Sequence, residues 1–156
     1  EILPLAGVVL AFADYLIASV IFFVMLAAYG IGITPNALWV FPLLVLLFVF
    51  TISVCLILSS LNVYYRDVKL ATGFFIQLLF FASPVLYSID KLSLKLKLIL
   101  FLNPLTFIIE NMRRCLVEGR GVVLWQFVLV AAIVAAFYYL SCRFFIKTER
   151  DFADVI

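Results

Sequence analysis

The sequence predicts an all-α polytopic membrane protein, with four transmembrane helices plus a re-entrant or interfacial helical hairpin. Of its 156 residues, 68% are hydrophobic and 13% are charged, against about half and about a quarter in an ordinary soluble domain. The charges are clustered, which leaves four stretches with none: Tyr15 to Ile33, Ala37 to Leu61, Leu70 to Ile89 and Gly121 to Cys142. Each approaches or exceeds the ~20 apolar residues that a helix rising ~1.5 Å per residue needs to cross a ~30 Å hydrocarbon core. One such run is compatible with a buried core helix; four in succession read as spans.

The first span is expected over about residues 5–29. Gly30 and Gly32 weaken it, and Thr34-Pro35-Asn36 supplies an uncharged turn. The second covers about 38–60, with Pro42 near its start, where a missing N–H is tolerated. Tyr29 and Trp39 flank the turn as amphipathic rings do at a membrane–water boundary. After the short polar loop Asn62 to Lys69 comes a third span, about 70–88, carrying Gly73, Gln77 and Pro84. The fourth covers about 122–145, and a charged tail occupies 147–156.

The hairpin is expected over about residues 91–119. Its second half has Asn103 as N-cap and Pro104 at the first helical position. Leu105, Ile108, Ile109, Met112 and Leu116 follow along one face. Glu110 and Arg114 sit four apart on the opposite face, and Gly119 stops the helix. In the first half, Leu92, Leu94, Leu96 and Leu98 alternate with Ser93, Lys95 and Lys97, a strand's period. An open strand edge cannot face lipid, so a short interfacial or re-entrant helix is preferred there.

The chain opens on Glu1 and is apolar from Ile2 to Ala13, which reads as the later part of a larger protein entered beside a membrane segment. No basic region of a signal peptide precedes the first apolar run. Histidine is absent, and with it the commonest general base and transition-metal ligand. Cys55, Cys115 and Cys142 match neither a disulfide framework nor a zinc spacing, and read as small apolar fillers. No phosphate-cradling G-x-x-x-x-G-K-[ST] loop is present, so ATP chemistry is expected elsewhere. The formal charge of +2 forms no basic stripe, which argues against nucleic acid. Serines such as Ser59 and Ser60 have no histidine to activate them as nucleophiles. Catalytic and metal-binding residues are therefore not expected.

Charge does not orient the chain. Arg66, Lys69, Arg143, Lys147 and Arg150 fall on one side, and Lys91, Lys95, Lys97, Arg113, Arg114 and Arg120 on the other. Asp14 is the only acid inside an apolar run. It lies ~16 Å deep if the helix starts near Leu3. One reading makes it the centre of a proton-coupled secondary transporter; the plainer one makes it a shallow or helix-bonded residue.

Four motifs in order carry a resemblance. They are Leu61-Asn62-Val63-Tyr64-Tyr65-Arg66-Asp67-Val68 after a span and Ser83-Pro84-Val85-Leu86-Tyr87 at the end of the next. Leu102-Asn103-Pro104-Leu105 follows, and Phe152-Ala153-Asp154-Val155-Ile156 closes the chain. Together they resemble the polysaccharide-export branch of ABC-transporter permeases, which export O-antigen, capsule or teichoic-acid polymers. The resemblance covers essentially the whole chain. It implies six spans per subunit, of which this chain would hold the last four, and a homodimer of permeases in the bacterial inner membrane. It also implies a separate ATPase subunit holding ATP and Mg, and a lipid-linked glycan as substrate. The 62–69 loop and the tail would be cytoplasmic, and the hairpin would be an outer gate.

On that basis Asn62, Tyr65, Arg66 and Asp67 are expected to couple to the ATPase, the alternative being an ordinary interfacial loop. Phe74, Gln77, Phe81, Ser83 and Tyr87 are candidate channel residues. The alternative for the phenylalanines, which with Phe75 and Phe80 crowd this span, is lipid-facing bulk; adjacent ones point in different directions. Asn103, Pro104, Glu110, Arg113 and Arg114 are candidate outer-gate residues, with Glu110 and both arginines able to meet an anionic lipid-linked substrate. Their plain alternative is the solvated side of an amphipathic helix with a weak Glu–Arg pair. A permease exporting a drug or lipid is the nearest competing function.

Overall fold

The computed structural model describes residues 2–30, 32, 34–65, 67–85, 93, 100 and 103–152. Arg66, Tyr87, the alternating segment 92–98 apart from Ser93, and the last four residues of the tail lie outside the described residues.

The described chain is all helical. Helix α1 is Ile2–Ala28. A short 3₁₀ helix, Pro35–Trp39, leads into α2, Val40–Tyr64. Helix α3 is Val68–Ala82, and α4 is Pro104–Arg113, continued by a wide π turn over Arg114–Glu118. Helix α5 is Leu124–Phe152, which carries helical backbone into the charged tail. Three segments are long and apolar enough to cross a membrane: Gly7–Ala28, Pro35–Asn62 and Leu124–Thr148. Their large apolar side chains lie mostly on the outside, from Leu16 and Phe22 on α1 to Phe41 on α2 and Leu129 on α5. A lipid solvent makes that arrangement stable.

Helices α2 and α5 form the backbone of the bundle and run parallel. The ring pairs that set their register are Trp39 with Phe127 and Phe50 with Phe137, each with centroids 5.7 Å apart. On that register Leu46 stands level with Val134, Ser53 with Ser141, and Ser60 with Thr148, so the buried seam repeats every seventh residue. Each hydroxyl bonds the carbonyl four residues back in its own helix: Ser53 to Val49 (2.7 Å), Ser60 to Leu56 (2.9 Å), Ser141 to Phe137 (2.7 Å) and Thr148 to Phe144 (2.8 Å). The side chains are small and internally satisfied, so the two backbones can approach closely. Such approach drives association where lipid removes any hydrophobic gain between helices.

Helix α1 lies against α2 through Phe12 and Phe48, with ring centroids 5.1 Å apart. Its buried positions include Val8 and Leu26, which leaves Asp14 on the exposed side. Helix α3 returns from the Tyr65 end of α2 and packs chiefly on α2. Its 15 residues reach only ~22 Å at helical rise, short of a ~30 Å core. It therefore ends part-way along the bundle, where Ser83 and Pro84 are buried.

Helix α4 plugs the gap. Phe107 and Ile108 enter the core formed with Leu43, Leu46, Val130 and Val134. Its far end is tied to the α1–α2 turn, where Asn36 Nδ2 donates to the Gly119 carbonyl at 2.6 Å. Gly119 takes the left-handed conformation at φ 65°, and a Cβ there would sit 2.9 Å from Thr34 Cγ2. Only glycine meets both conditions.

Candidate functional site

The site is the junction where α3 stops and α4 begins. Pro84 cannot continue a helix, so the last carbonyls of α3 face the bundle without the usual amide partners. Water that would solvate them is scarce at this depth, and a side chain takes its place. Arg113 Nη2 donates to the Pro84 carbonyl at 2.8 Å and reaches the Val85 carbonyl at 3.5 Å. A guanidinium at a helix C-terminus also meets the negative end of the helix dipole.

Glu110 holds that guanidinium in place. It is only 2% exposed. Its Oε2 accepts from Arg113 Nη1 at 3.2 Å, while Oε1 lies 3.7 Å from Arg114 Nε. Each carboxylate oxygen thus serves a different arginine. The sequence reading that put Glu110 and Arg114 on a solvated face is corrected here. The helix is enclosed between α2, α5 and the end of α3, so its polar face is buried and its ion pairs are strong ones. Arg113 and Arg114 are half-buried beside it.

Asn103 completes the junction. Its Oδ1 accepts from the Leu105 N–H at 3.0 Å, capping α4, and Pro104 takes the first helical position. Its Nδ2 lies 3.5 Å from Ser83 Oγ, across the gap to α3. Ser83, which the sequence grouped with the channel, is therefore brought together with the gate residues Asn103, Pro104, Glu110, Arg113 and Arg114.

The rest of the channel set stands apart. Phe74 (70% exposed), Gln77 and Phe81 (63% exposed) share one outer face of α3 at helical spacing. Phe75 turns the other way, into a cleft shared with Val54 and Leu58 of α2 and Phe137 of α5. Phe80 and Phe81 meet edge to face at 5.7 Å. At the opposite end of α2 and α3, Asn62 is exposed in the last turn of α2. Tyr65 is an exposed, extended residue whose N–H donates to the Leu61 carbonyl at 2.9 Å. Asp67 is exposed, and its carbonyl accepts from Leu70 and Ala71, each at 3.1 Å. The connection is a tight turn that projects past both helices.

A second feature has no counterpart among the sequence expectations. A groove of about 840 Å³ runs between α1, α2 and α4, walled by Phe22, Phe23, Phe41, Ile109 and Leu116, with Arg113 as its one charged lining residue among those described. Also missed were the Pro84 and Val85 carbonyls and Asn36. No side-chain pattern marks a carbonyl, though Pro84 followed by a helix bearing Arg113 is a usable signal. The three cysteines are unbridged, and no cluster of three potential metal ligands occurs among the described residues.

Comparison with known proteins adds the context. The family described as ABC-2 type transporter matches residues 3–117. An O-antigen export system permease protein RfbA of Klebsiella pneumoniae is 25% identical over an alignment of 158 residues, covering 100% of this chain and 60% of that protein. Another K. pneumoniae permease of that name is 31% identical over 122 residues, covering 76% of this chain and 46% of the relative. A Myxococcus xanthus permease of the same name is 26% identical over 159 residues, covering 100% and 61%. The chain thus spans 46–61% of the length of these relatives.

Proposed function

Since this chain belongs to the ABC-2 type transporter family, we propose that it forms part of the membrane permease of an ATP-driven exporter of lipid-linked polysaccharide. The observation that carries the reading is the broken path of α3. A helix that ends inside the bundle, met there by a short helix entering from the other side, leaves a junction that can part without unfolding a span. The substrate class comes from the relatives whose names specify O-antigen export.

In this reading α1, α2, α3 with the residues after it, and α5 are four spans of a six-span subunit. The segment 91–119 is a re-entrant hairpin on the outer side of a bacterial inner membrane. Two subunits enclose the glycan path, and a separate ATPase subunit binds ATP and Mg on the cytoplasmic side. The turn from Asn62 through Tyr65, Arg66 and Asp67 is the coupling element, supported by its projection beyond both helices. Phe74, Gln77 and Phe81 face the glycan, whose apolar sugar faces slide over aromatic rings. Glu110, Arg113 and Arg114 hold the outer gate.

Co-purification of the full-length subunit tests this, with wild type compared with a Tyr65/Arg66/Asp67 triple-alanine variant. Recovery of an ATPase subunit with the wild type, and its loss in a variant that still folds, is the expected result. A well-folded wild type that brings down no ATPase would remove the reading. A second function, export of an apolar small molecule or lipid, is favoured by the groove between α1, α2 and α4. It predicts transport that Leu116→Trp blocks while polymer export is unaffected. A proton-coupled mechanism has less support, because Asp14 faces away from both the groove and the junction.

A further inference from the structure

From the α3–α4 junction we infer that Arg113 is a releasable cap, a latch that holds the end of α3 closed against α4 and opens by giving up the Pro84 and Val85 carbonyls. The inference rests on the export reading above and names how that gate is held.

The two sides of the junction are anchored very differently. Helix α4 is fixed, since Phe107 and Ile108 are buried in the core with Leu43, Leu46, Val130 and Val134. Asn36 also ties its far end down through Gly119. Helix α3 packs chiefly on α2, and its Leu70, Phe74, Ile76 and Phe81 are exposed. Between the end of α3 and α4 the bonds are polar: Arg113 to the carbonyls of Pro84 and Val85, and Asn103 to Ser83. A few directional bonds of this kind break together over a small displacement, whereas interdigitated apolar packing resists it. The split therefore falls at the latch.

The electrostatics make release tolerable. Pulling a partner from a buried carboxylate is strongly unfavourable, but opening does not do this. Glu110 holds Arg113 within α4 itself and binds Arg114 through its other oxygen. When α3 leaves, both charges stay neutralised, and what is lost is a charge-assisted bond to carbonyls. Glu110 is thus a positioning residue. It aims Arg113 in the closed state and shelters it in the open one.

The test uses the full-length subunit with its ATPase partner in proteoliposomes, with native cysteines replaced. Ser83→Cys and Asn103→Cys place two thiols across the junction, where the native side-chain atoms are 3.5 Å apart. Their rate of oxidative cross-linking reports closure without reference to export. Cross-linking is expected to be fast without nucleotide and at least several-fold slower during ATP turnover. The oxidised bridge is expected to stop export and its reduction to restore it. Arg113→Gln should slow cross-linking in every condition, and Glu110→Gln should do the same to a lesser degree, with Arg113→Lys recovering part of the rate.

A cross-linking rate indifferent to ATP in a protein that exports normally would overturn the latch and leave the export reading intact. So would a bridged protein that still exports, or an Arg113→Gln variant that cross-links like wild type. A wild type that neither exports nor hydrolyses ATP would instead count against the export reading, and the nucleotide-free rates in the Arg113 variants would still decide whether Arg113 caps α3.

Discussion

Glu110 shows how one residue's surroundings decide its role. On an open helix face its pairs with Arg113 and Arg114 would be worth little. Buried at 2% exposure with a separate arginine on each oxygen, it becomes a structural necessity. Glu110→Leu leaves two half-buried guanidiniums uncompensated and is expected to destabilise the subunit by roughly 3–5 kcal/mol. Arg114→Gln, which removes the longer and more exposed pair, is expected to cost distinctly less. Thermal unfolding of the detergent-purified full-length subunit measures both, and an Arg114 effect equal to that of Glu110 would count against the assignment. Gly119 makes a second case at this scale. Gly119→Ala forces an L residue to φ 65° with its Cβ 2.9 Å from Thr34 Cγ2, at a cost of ~1–2 kcal/mol for the left-handed backbone alone. The same thermal measurement reads it. A Thr34→Ser/Gly119→Ala double variant should recover only the part due to the clash.

At the scale of elements, the seam between α2 and α5 carries the bundle. Ser53, Ser60, Ser141 and Thr148 already bond within their own helices, so no hydroxyl is needed across the interface. Ser53→Ala and Ser141→Ala are therefore expected to be nearly neutral. Ser53→Leu or Ser141→Leu must push the helices apart and is expected to cost ~1–3 kcal/mol by overpacking. Melting of the single variants decides it, and a costly alanine would point instead to an interhelical hydrogen bond. The seven-residue spacing of these positions was readable in the sequence, but attention to hydrophobic runs passed over it, because serine in an apolar run looks like noise. The start of α4 was fully legible: Asn103 and Pro104 specify a cap and a first turn by local chemistry alone. Burial of its polar face was not, because hydrophobic periodicity tells which residues share a face and not what covers that face. The end of α3 was hidden for the same reason, since Pro84 near the close of an apolar run is compatible with a kinked span as well as a stop.

At the scale of the molecule, the question is what medium the outer face of α3 meets. Phe74, Gln77 and Phe81 are exposed together, whereas Phe75 and Leu79 line a cleft against α2 and α5. A lipid-facing surface does not need an amide such as Gln77, which in hydrocarbon lacks partners. A hydrated path supplies them. Cysteines at Phe74, Gln77 and Phe81, placed one at a time in a full-length subunit lacking native cysteines, are expected to react with a charged, water-soluble maleimide. Cysteines at Phe75 and Leu79 are expected to stay unlabelled until the protein is denatured. The outcome separates three surfaces. Labelling of the face, slowed by added glycan, supports a polymer path bounded by α3. If labelling is absent but a membrane-permeant thiol reagent reacts at the same positions, the face meets lipid, the phenylalanines are packing bulk and the polymer path lies elsewhere. Protection from both reagents means that another helix covers the face, and the channel assignment of Phe74, Gln77 and Phe81 fails with it.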